Sequence, residues 1–373
     1  MYDVAVVGAG PAGAAAALSA LRSRPGARVL LLDRADFPRD KSCGDGVAPH
    51  ALDELARLGV AGVLADRVPV RTLRLVSPRG VEAVATMARP TVVVPRTVLD
   101  ARLVSAAVAR GAELVRHTVR TIDVRPDRVV LDDTFAARVV IGCDGANGVV
   151  RRLIGVPRQD PATVAVAVRG YVAVSGEPEQ VIVMDGCDWP AYAWRFDAGD
   201  STANVGFGML LPSLQAAGHG KALLEQRMVD LLPSAAGATA LRSHHLPLST
   251  GRPLLPTGRV LLAGDAASLV NPLTGEGIFY ALLTGRLAGA AAVDPALVHR
   301  DLVARELGRH LRHTTALARL TASPRVLEAG VRAARRSPEA MDALVEVGLG
   351  RGLVTAPLLR ALAGELARKA ARR

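Results

Sequence analysis

The opening stretch Tyr2-Asp3-Val4-Ala5-Val6-Val7-Gly8-Ala9-Gly10-Pro11-Ala12-Gly13 constrains this chain more than any other. An apolar run of strand length enters G-x-G-x-x-G and leaves it in an alanine-rich helix. Gly8 permits the tight turn, Gly10 lets backbone approach a pyrophosphate, and Gly13 lets helix and strand close together. A second apolar run, Val29 to Leu32, ends in Asp33. An acid about twenty residues past the last glycine is placed to meet the 2′-hydroxyl of an adenosine ribose. Strand, turn, helix and acid together imply a dinucleotide-binding βαβ unit and an α/β fold.

Far downstream, the apolar strand-like run after Gly258 ends in Gly264-Asp265, followed by Asn271-Pro272 and Gly275-Glu276-Gly277-Ile278. Asp265 can accept hydrogen bonds from ribityl hydroxyls. A helix starting near Gly275 would aim free N–H groups and a positive dipole end at an anionic ring edge. A ribityl clamp serves FAD and has no use for a nicotinamide dinucleotide. Between these segments, Val139 to Cys143 runs into Asp144-Gly145-Ala146-Asn147 and a basic helix start at Val149 to Arg152. The three segments, in this order and approximate spacing, resemble the glutathione-reductase-like FAD superfamily in its single-component hydroxylase branch. The resemblance implies a Rossmann-type FAD-binding domain with an inserted antiparallel-sheet substrate domain and a helical C-terminal region. It also implies non-covalent FAD held by Gly8, Gly10, Ala12, Gly13, Asp33, Arg34, Asp265, Gly275, Gly277 and Ile278.

The loop Phe37-Pro38-Arg39-Asp40-Lys41-Ser42-Cys43-Gly44-Asp45-Gly46-Val47 narrows the resemblance to the geranylgeranyl reductase family, and most closely to its actinobacterial, menaquinone reductase-like branch. In that family a Cys-Gly loop lies beside the isoalloxazine ring, which adds Cys43 and Gly44 to the cofactor set. Tyr192-Ala193-Trp194-Arg195-Phe196-Asp197 is similar to the family's aromatic-x-Trp-x-Phe-Pro strand over the substrate cavity, with Asp197 in place of Pro. The stretches Ser323 to Val326, Ala329 to Arg332 and Leu344 to Gly350 extend the resemblance over nearly the full length. It places Arg96 near the FAD diphosphate; a surface salt bridge with Asp100 is the alternative.

The reaction so implied is reduction of an isoprenoid C=C bond by hydride from reduced flavin. Cys43 would donate a proton or position substrate, and Tyr192 and Trp194 would line the cavity. A monooxygenase acting on a natural product is the alternative. Only one dinucleotide fingerprint is present, so electrons would come from NAD(P)H docking transiently or from a protein electron carrier. A halogenase-type role for Lys41 is disfavoured, because the Trp-x-Trp-x-Ile-Pro signature of halogenases is absent.

Half the 373 residues are hydrophobic but only 3% are aromatic, so the core must be built from Ala, Val and Leu. The charge of +11 comes almost entirely from arginine. No compact Arg run with interleaved aromatics points to nucleic acid, and the Arg, Ala, Val and Leu excess fits a GC-rich coding sequence. Three widely spaced cysteines, Cys43, Cys143 and Cys187, suit a reducing compartment and lack zinc-ligand spacing, so no metal is expected. Cys143 reads as core, and Cys187 has no assigned role. The uncharged stretch Val4 to Leu21 is broken by glycines and a proline and reads as strand, turn and helix rather than a membrane span. The expected location is cytoplasmic. Peripheral membrane contact is a further expectation, from the stripe Leu358, Leu359, Leu362 and Leu366 flanked by Arg360, Arg368, Lys369, Arg372 and Arg373; packing of that stripe on the body is the alternative.

The coarse pattern predicts helices over 51–58 and 98–110, and short strands over 70–94 with a turn at Ser77 to Gly80. Two strands should lead to Asp144. Strands should fill 160–250, interrupted by one helix over 214–232, and helices should follow Asp265 to the C-terminus with a break at Gly348 to Gly352. The FAD-binding domain would then comprise 1–68, 92–158 and 250–305, the substrate sheet 69–91 and 159–249, and the helical region 306–373.

Overall fold

Tyr2–Val7 is a central strand of a mostly parallel sheet in the computed structural model, which describes residues 1–186, 190–218 and 220–370. It pairs in parallel with Val29–Asp33 on one side and with Phe135–Gly142 on the other. Glu113–Arg116 extends the first side, and Val260–Leu262 pairs in parallel with Phe135–Gly142. Ile122–Val124 and Val129–Leu131 add an antiparallel flap. Val4, Ala5, Val6 and Leu30 to Leu32 have no exposed surface. Strands covered by helices on both faces require such continuous apolar runs.

Helix Pro11–Ser23 leaves the glycine turn with Pro11 in its first turn, where a missing N–H costs nothing. It packs on helix Ile278–Val293 at close range. A Cβ at Gly285 or Gly289 would collide with the carbonyl oxygens of Ala12 and Ala16. Alanines on one helix and glycines on the other let the two backbones meet, which accounts for the small-residue composition of both.

The second sheet runs Thr239–Pro247, Val164–Ala173, Thr202–Leu210, Tyr192–Asp197, Glu179–Met184, Val70–Val76, Glu82–Val93, Gly46–Val47. Its pairs are antiparallel except where Glu179–Met184 meets Val70–Val76 in parallel, the seam joining two distant parts of the chain. Helices Pro324–Arg336 and Pro338–Leu349 cover the hairpin of this sheet, burying Leu73, Met87, Val331 and Met341 together.

Several expectations need correction. The single helix over 214–232 is two, Leu211–Ala217 and Gly220–Leu231, because Gly218 adopts φ +72° and ends the first. The two strands expected before Asp144 are four, and the helix after it is one turn, Val150–Leu153. The helical C-terminal part breaks after Leu349 as expected, and Ala356–Ala370 follows. The leucine stripe of that last helix is divided: Leu358 and Leu362 are buried against Ala333 and Ala340, while Leu359 is 49% and Leu366 37% exposed. Among the described residues no helix is long and apolar enough to cross a membrane.

Candidate active site

A cavity of about 1040 Å³ runs from the glycine turn to the C-terminal helices. At its nucleotide end the three glycines have distinct roles. Gly8 has φ +98°, and a Cβ there would collide with the Cys143 carbonyl; a Cβ on Gly13 would collide with the carbonyl of Gly8. Gly10 instead borders the cavity, where an added Cβ would lie 3.5 Å from the Arg39 guanidinium and 3.7 Å from that of Arg96. Asp100, fully buried, pairs with both arginines: Arg96 donates to its two oxygens at 2.7 and 2.8 Å, and Arg39 lies 3.2 Å away. The expected alternative for Arg96, pairing with Asp100, is therefore present, but buried rather than on the surface. Two guanidiniums on one carboxylate leave an uncompensated positive charge beside the bare backbone of Gly10. That arrangement fits a diphosphate.

Asp33 accepts from the N–H groups of Ala9 at 2.8 Å and Ala35 at 2.9 Å, which fixes its carboxylate at the strand end. It borders the cavity together with Ala12 and the exposed Arg34. Asp265 borders the cavity from the other sheet segment, and Lys41 donates to it at 3.2 Å. Burial and the nearby Lys41 charge depress the His244 pKa to about 4, so this ring is neutral at neutral pH. Gly275 and Gly277 lead into helix Ile278–Val293, whose start also borders the cavity. Glu276 accepts from the Phe279 N–H at 2.8 Å, and burial pushes its carboxyl up to about 7.

The half-buried Cys43 borders the same space. Burial pushes its thiol pKa up, against the pull of Arg96, so the protonated form prevails at neutral pH. Asp45, next but one, is fully buried at φ +61°. Its Oδ2 accepts from the Tyr171 hydroxyl at 2.6 Å and from Asn204 Nδ2 at 2.9 Å, while Oδ1 has no hydrogen-bond partner among the described residues. Burial outweighs those donors and lifts its pKa to about 6.

Tyr192, Trp194 and Phe196 alternate along one strand and so share a face. Trp194 stands over its cross-strand partner Gly206, where a Cβ would collide with the indole. The Trp194 Nε1–H donates to Asn204 Oδ1 at 2.9 Å, and the Tyr192 hydroxyl donates to the Thr274 carbonyl. Both polar ends are engaged, so the two rings serve as wall. Asp197 is buried and accepts from Arg195 Nε at 3.0 Å and the Glu179 N–H at 3.2 Å. Its place in the aromatic strand is thus part of a local ion network. Cys143 is buried behind the glycine turn, and Cys187 lies outside the described residues.

Sequence reasoning missed Arg39, Tyr171, Asn204 and Arg169. Arg169 is 1% exposed, pairs with Asp40, donates to the Ala240 carbonyl at 2.9 Å and stacks over Tyr171. A signal was available: it is the one charge in the strand Val-Ala-Val-Ala-Val-Arg-Gly-Tyr-Val-Ala. Beyond the aromatic wall the cavity becomes apolar, with Leu73, Ile182, Leu327, Val331, Leu344 and Leu362 on its walls.

Residues 1–215 match the family model described as FAD binding domain. The chain is 35% identical to the menaquinone reductase of Mycolicibacterium smegmatis, over 92% of this chain and 90% of that one. It is 32% identical to digeranylgeranylglycerophospholipid reductase 1 of Methanopyrus kandleri, over 83% and 84%. A geranylgeranyl bacteriochlorophyll reductase-like protein of Thermoplasma acidophilum superposes with TM-score 0.80 at 19% identity, covering 99% and 98% of the chains. The flavin-dependent brominase Bmp2 superposes with TM-score 0.70 at 17% identity, covering 99% of each. These two likenesses show the shared fold, whereas the sequence matches carry the relationship: the chain belongs to the geranylgeranyl reductase family of FAD-dependent oxidoreductases.

Proposed function

We propose that this protein saturates a C=C bond in the isoprenoid chain of a lipid or quinone. The observation that carries the reading is the continuity of one cavity, from a cationic glycine turn, past Cys43, into an apolar compartment roofed by the C-terminal helices. Its relatives, a menaquinone reductase and a digeranylgeranylglycerophospholipid reductase, support it. Gly8, Gly10, Gly13, Asp33, Arg34, Arg39, Arg96 and Asp265 would hold FAD, with Ala12, Gly44, Gly275, Gly277 and Ile278 along its path. Bound FAD in its reduced form supplies a hydride equivalent. The protein's part is to orient and to protonate. An isolated alkene has no carbonyl to polarise it, so Trp194, Tyr192 and the aliphatic walls must fix it in place and exclude water. Cys43, held as a thiol by burial, can release a proton to the second carbon, and Arg96 lies where it offsets the charge left on sulfur. Hydride and proton together give the two added hydrogens. Electrons would arrive from NAD(P)H or a protein carrier.

The test is anaerobic. The holoprotein is reduced with dithionite, given a prenylated quinone or lipid, and followed by flavin reoxidation and product mass. A gain of two hydrogens is expected. Product that forms only after oxygen is admitted, with one added oxygen atom, would replace this reading with monooxygenation. Contact with an anionic membrane through Leu359, Leu366, Arg360 and Arg368 belongs to the same proposal. Flotation with anionic vesicles should fall when both exposed leucines are changed to serine; unchanged recovery removes the membrane surface from the scheme.

A further inference from the structure

We propose that Asn204 is a positioning residue that joins the Cys43–Asp45 loop to the aromatic wall at Trp194, fixing the Cys43 thiol relative to that wall. The catalytic use of that placement rests on the reductase reading; the join itself does not.

Asn204 is 1% exposed on strand Thr202–Leu210. Its Nδ2 donates to the Cys43 carbonyl and to Asp45 Oδ2, both at 2.9 Å, and its Oδ1 accepts from Trp194 Nε1 at 2.9 Å. The loop therefore presents two acceptors and the wall one donor. A neutral carboxamide satisfies all three, with its nitrogen toward the loop and its oxygen toward the indole. An aliphatic side chain would leave all three buried groups unpaired, and a carboxylate would set oxygen against oxygen on the loop side.

The two parts also touch directly. A Cβ at Gly44 would lie 3.4 Å from both Trp194 Nε1 and the Phe196 ring, so the loop lies flat on the wall. Other fastenings of this loop reach the same sheet: Asp40 pairs with Arg169 and with Arg242, and Ser42 Oγ donates to the Arg242 carbonyl at 3.1 Å. The charged and titratable groups around Asp45 are Tyr171 and Arg169 from the sheet, Arg96 from its helix, and Cys43 from the loop itself. Asn204 is the member of this set that bonds to loop and wall at once.

The experiment follows iodoacetamide alkylation of Cys43 in the FAD-bound protein, read by peptide mass spectrometry, for wild type, Asn204→Asp, and the double variant Asn204→Asp with Asp45→Asn. In the single variant the loop loses its donors and Cys43 is freed. The rate ratio to wild type should reach about tenfold at about pH 8, the scale of one lost buried hydrogen bond. It should fall toward unity in acid, where the new carboxyl regains a proton to donate. The double variant restores the bond between positions 45 and 204 but not the donor to the Cys43 carbonyl, so its ratio should fall clearly below that of the single variant. A single-variant ratio near unity at every pH, or one raised equally at all pH, overturns the proposal. Should the single variant fail to retain FAD, the double variant decides, since alkylation about tenfold or more above wild type in it also overturns the proposal. The assay uses no substrate, so failure of the reductase reading would leave its outcome intact. With substrate, the single variant should lose kcat about tenfold with KM little changed, because a mispositioned Cys43 loop affects chemistry more than capture.

Discussion

Asp45 is an acid whose ionisation opposes folding. Its pKa rises from 3.8 to about 6 on burial, so between those values the native chain holds a proton the unfolded chain has released. Stability contributed by this group is therefore full below about pH 4 and declines as pH rises toward about 6. Replacing Asp45 with Asn removes the titration and keeps a residue that tolerates a left-handed backbone. The variant should be more stable than wild type by about 3 kcal/mol above pH 6, with little advantage near pH 4, as read from urea denaturation at both pH values. Equal pH dependence in the two proteins would contradict the burial argument. Gly10 and Gly13 give a second contrast. Gly10→Val should fold and emerge without FAD, because its side chain would enter the cavity beside Arg39 and Arg96. Gly13→Val should fail to fold, because even a Cβ overlaps the Gly8 carbonyl. Absorbance near the flavin bands and circular dichroism separate the two outcomes, and full FAD occupancy in Gly10→Val would refute the cradle. These glycines were legible in sequence because their constraint is local. Asn204 and Tyr171 were not, since they bond to Asp45 across 159 and 126 residues and look like ordinary polar strand positions beforehand.

Elements meet here through what their side chains lack. Helices Pro11–Ser23 and Ile278–Val293 approach so closely that Gly285 and Gly289 have no room for a methyl group. Gly289→Ala should cost about 1–3 kcal/mol through forced separation of the helices, despite the higher helix propensity of alanine. A rise in midpoint on thermal denaturation would show that the helices can part freely. In the last helix, Leu358→Ala should cost about 2–4 kcal/mol in docking that element, whereas the exposed Leu359→Ala should change stability by less than about 0.5 kcal/mol. Hydrogen exchange across 356–370 reads both. The expected element types around the glycine turn and Asp265 matched because long apolar runs and glycine punctuation settle them. The split at Gly218 and the extra strands before Asp144 escaped because short elements carry too few residues for a period to emerge.

At the scale of the whole molecule, a single cavity is shared by segments from every third of the chain. Its nucleotide end was readable as motif, while its apolar end was not, because Leu327, Val331 and Leu344 become neighbours of Leu73 and Ile182 only after the C-terminal helices fold onto the hairpin. The strand Val260–Leu262 has a consequence for biosynthesis. It completes the sheet begun at Tyr2, and Asp265 and the helix at Ile278 follow it directly. A ribosome that has released only the first 250 residues has therefore delivered an intact glycine turn and no finished flavin site. The nascent chain must wait with its FAD-binding sheet one strand short and the small-residue face of its first helix uncovered, an interval in which a nascent chain is most exposed to aggregation. Cofactor capture should thus be a late event in synthesis, and cellular flavin supply should govern the yield of completed chains rather than their early folding.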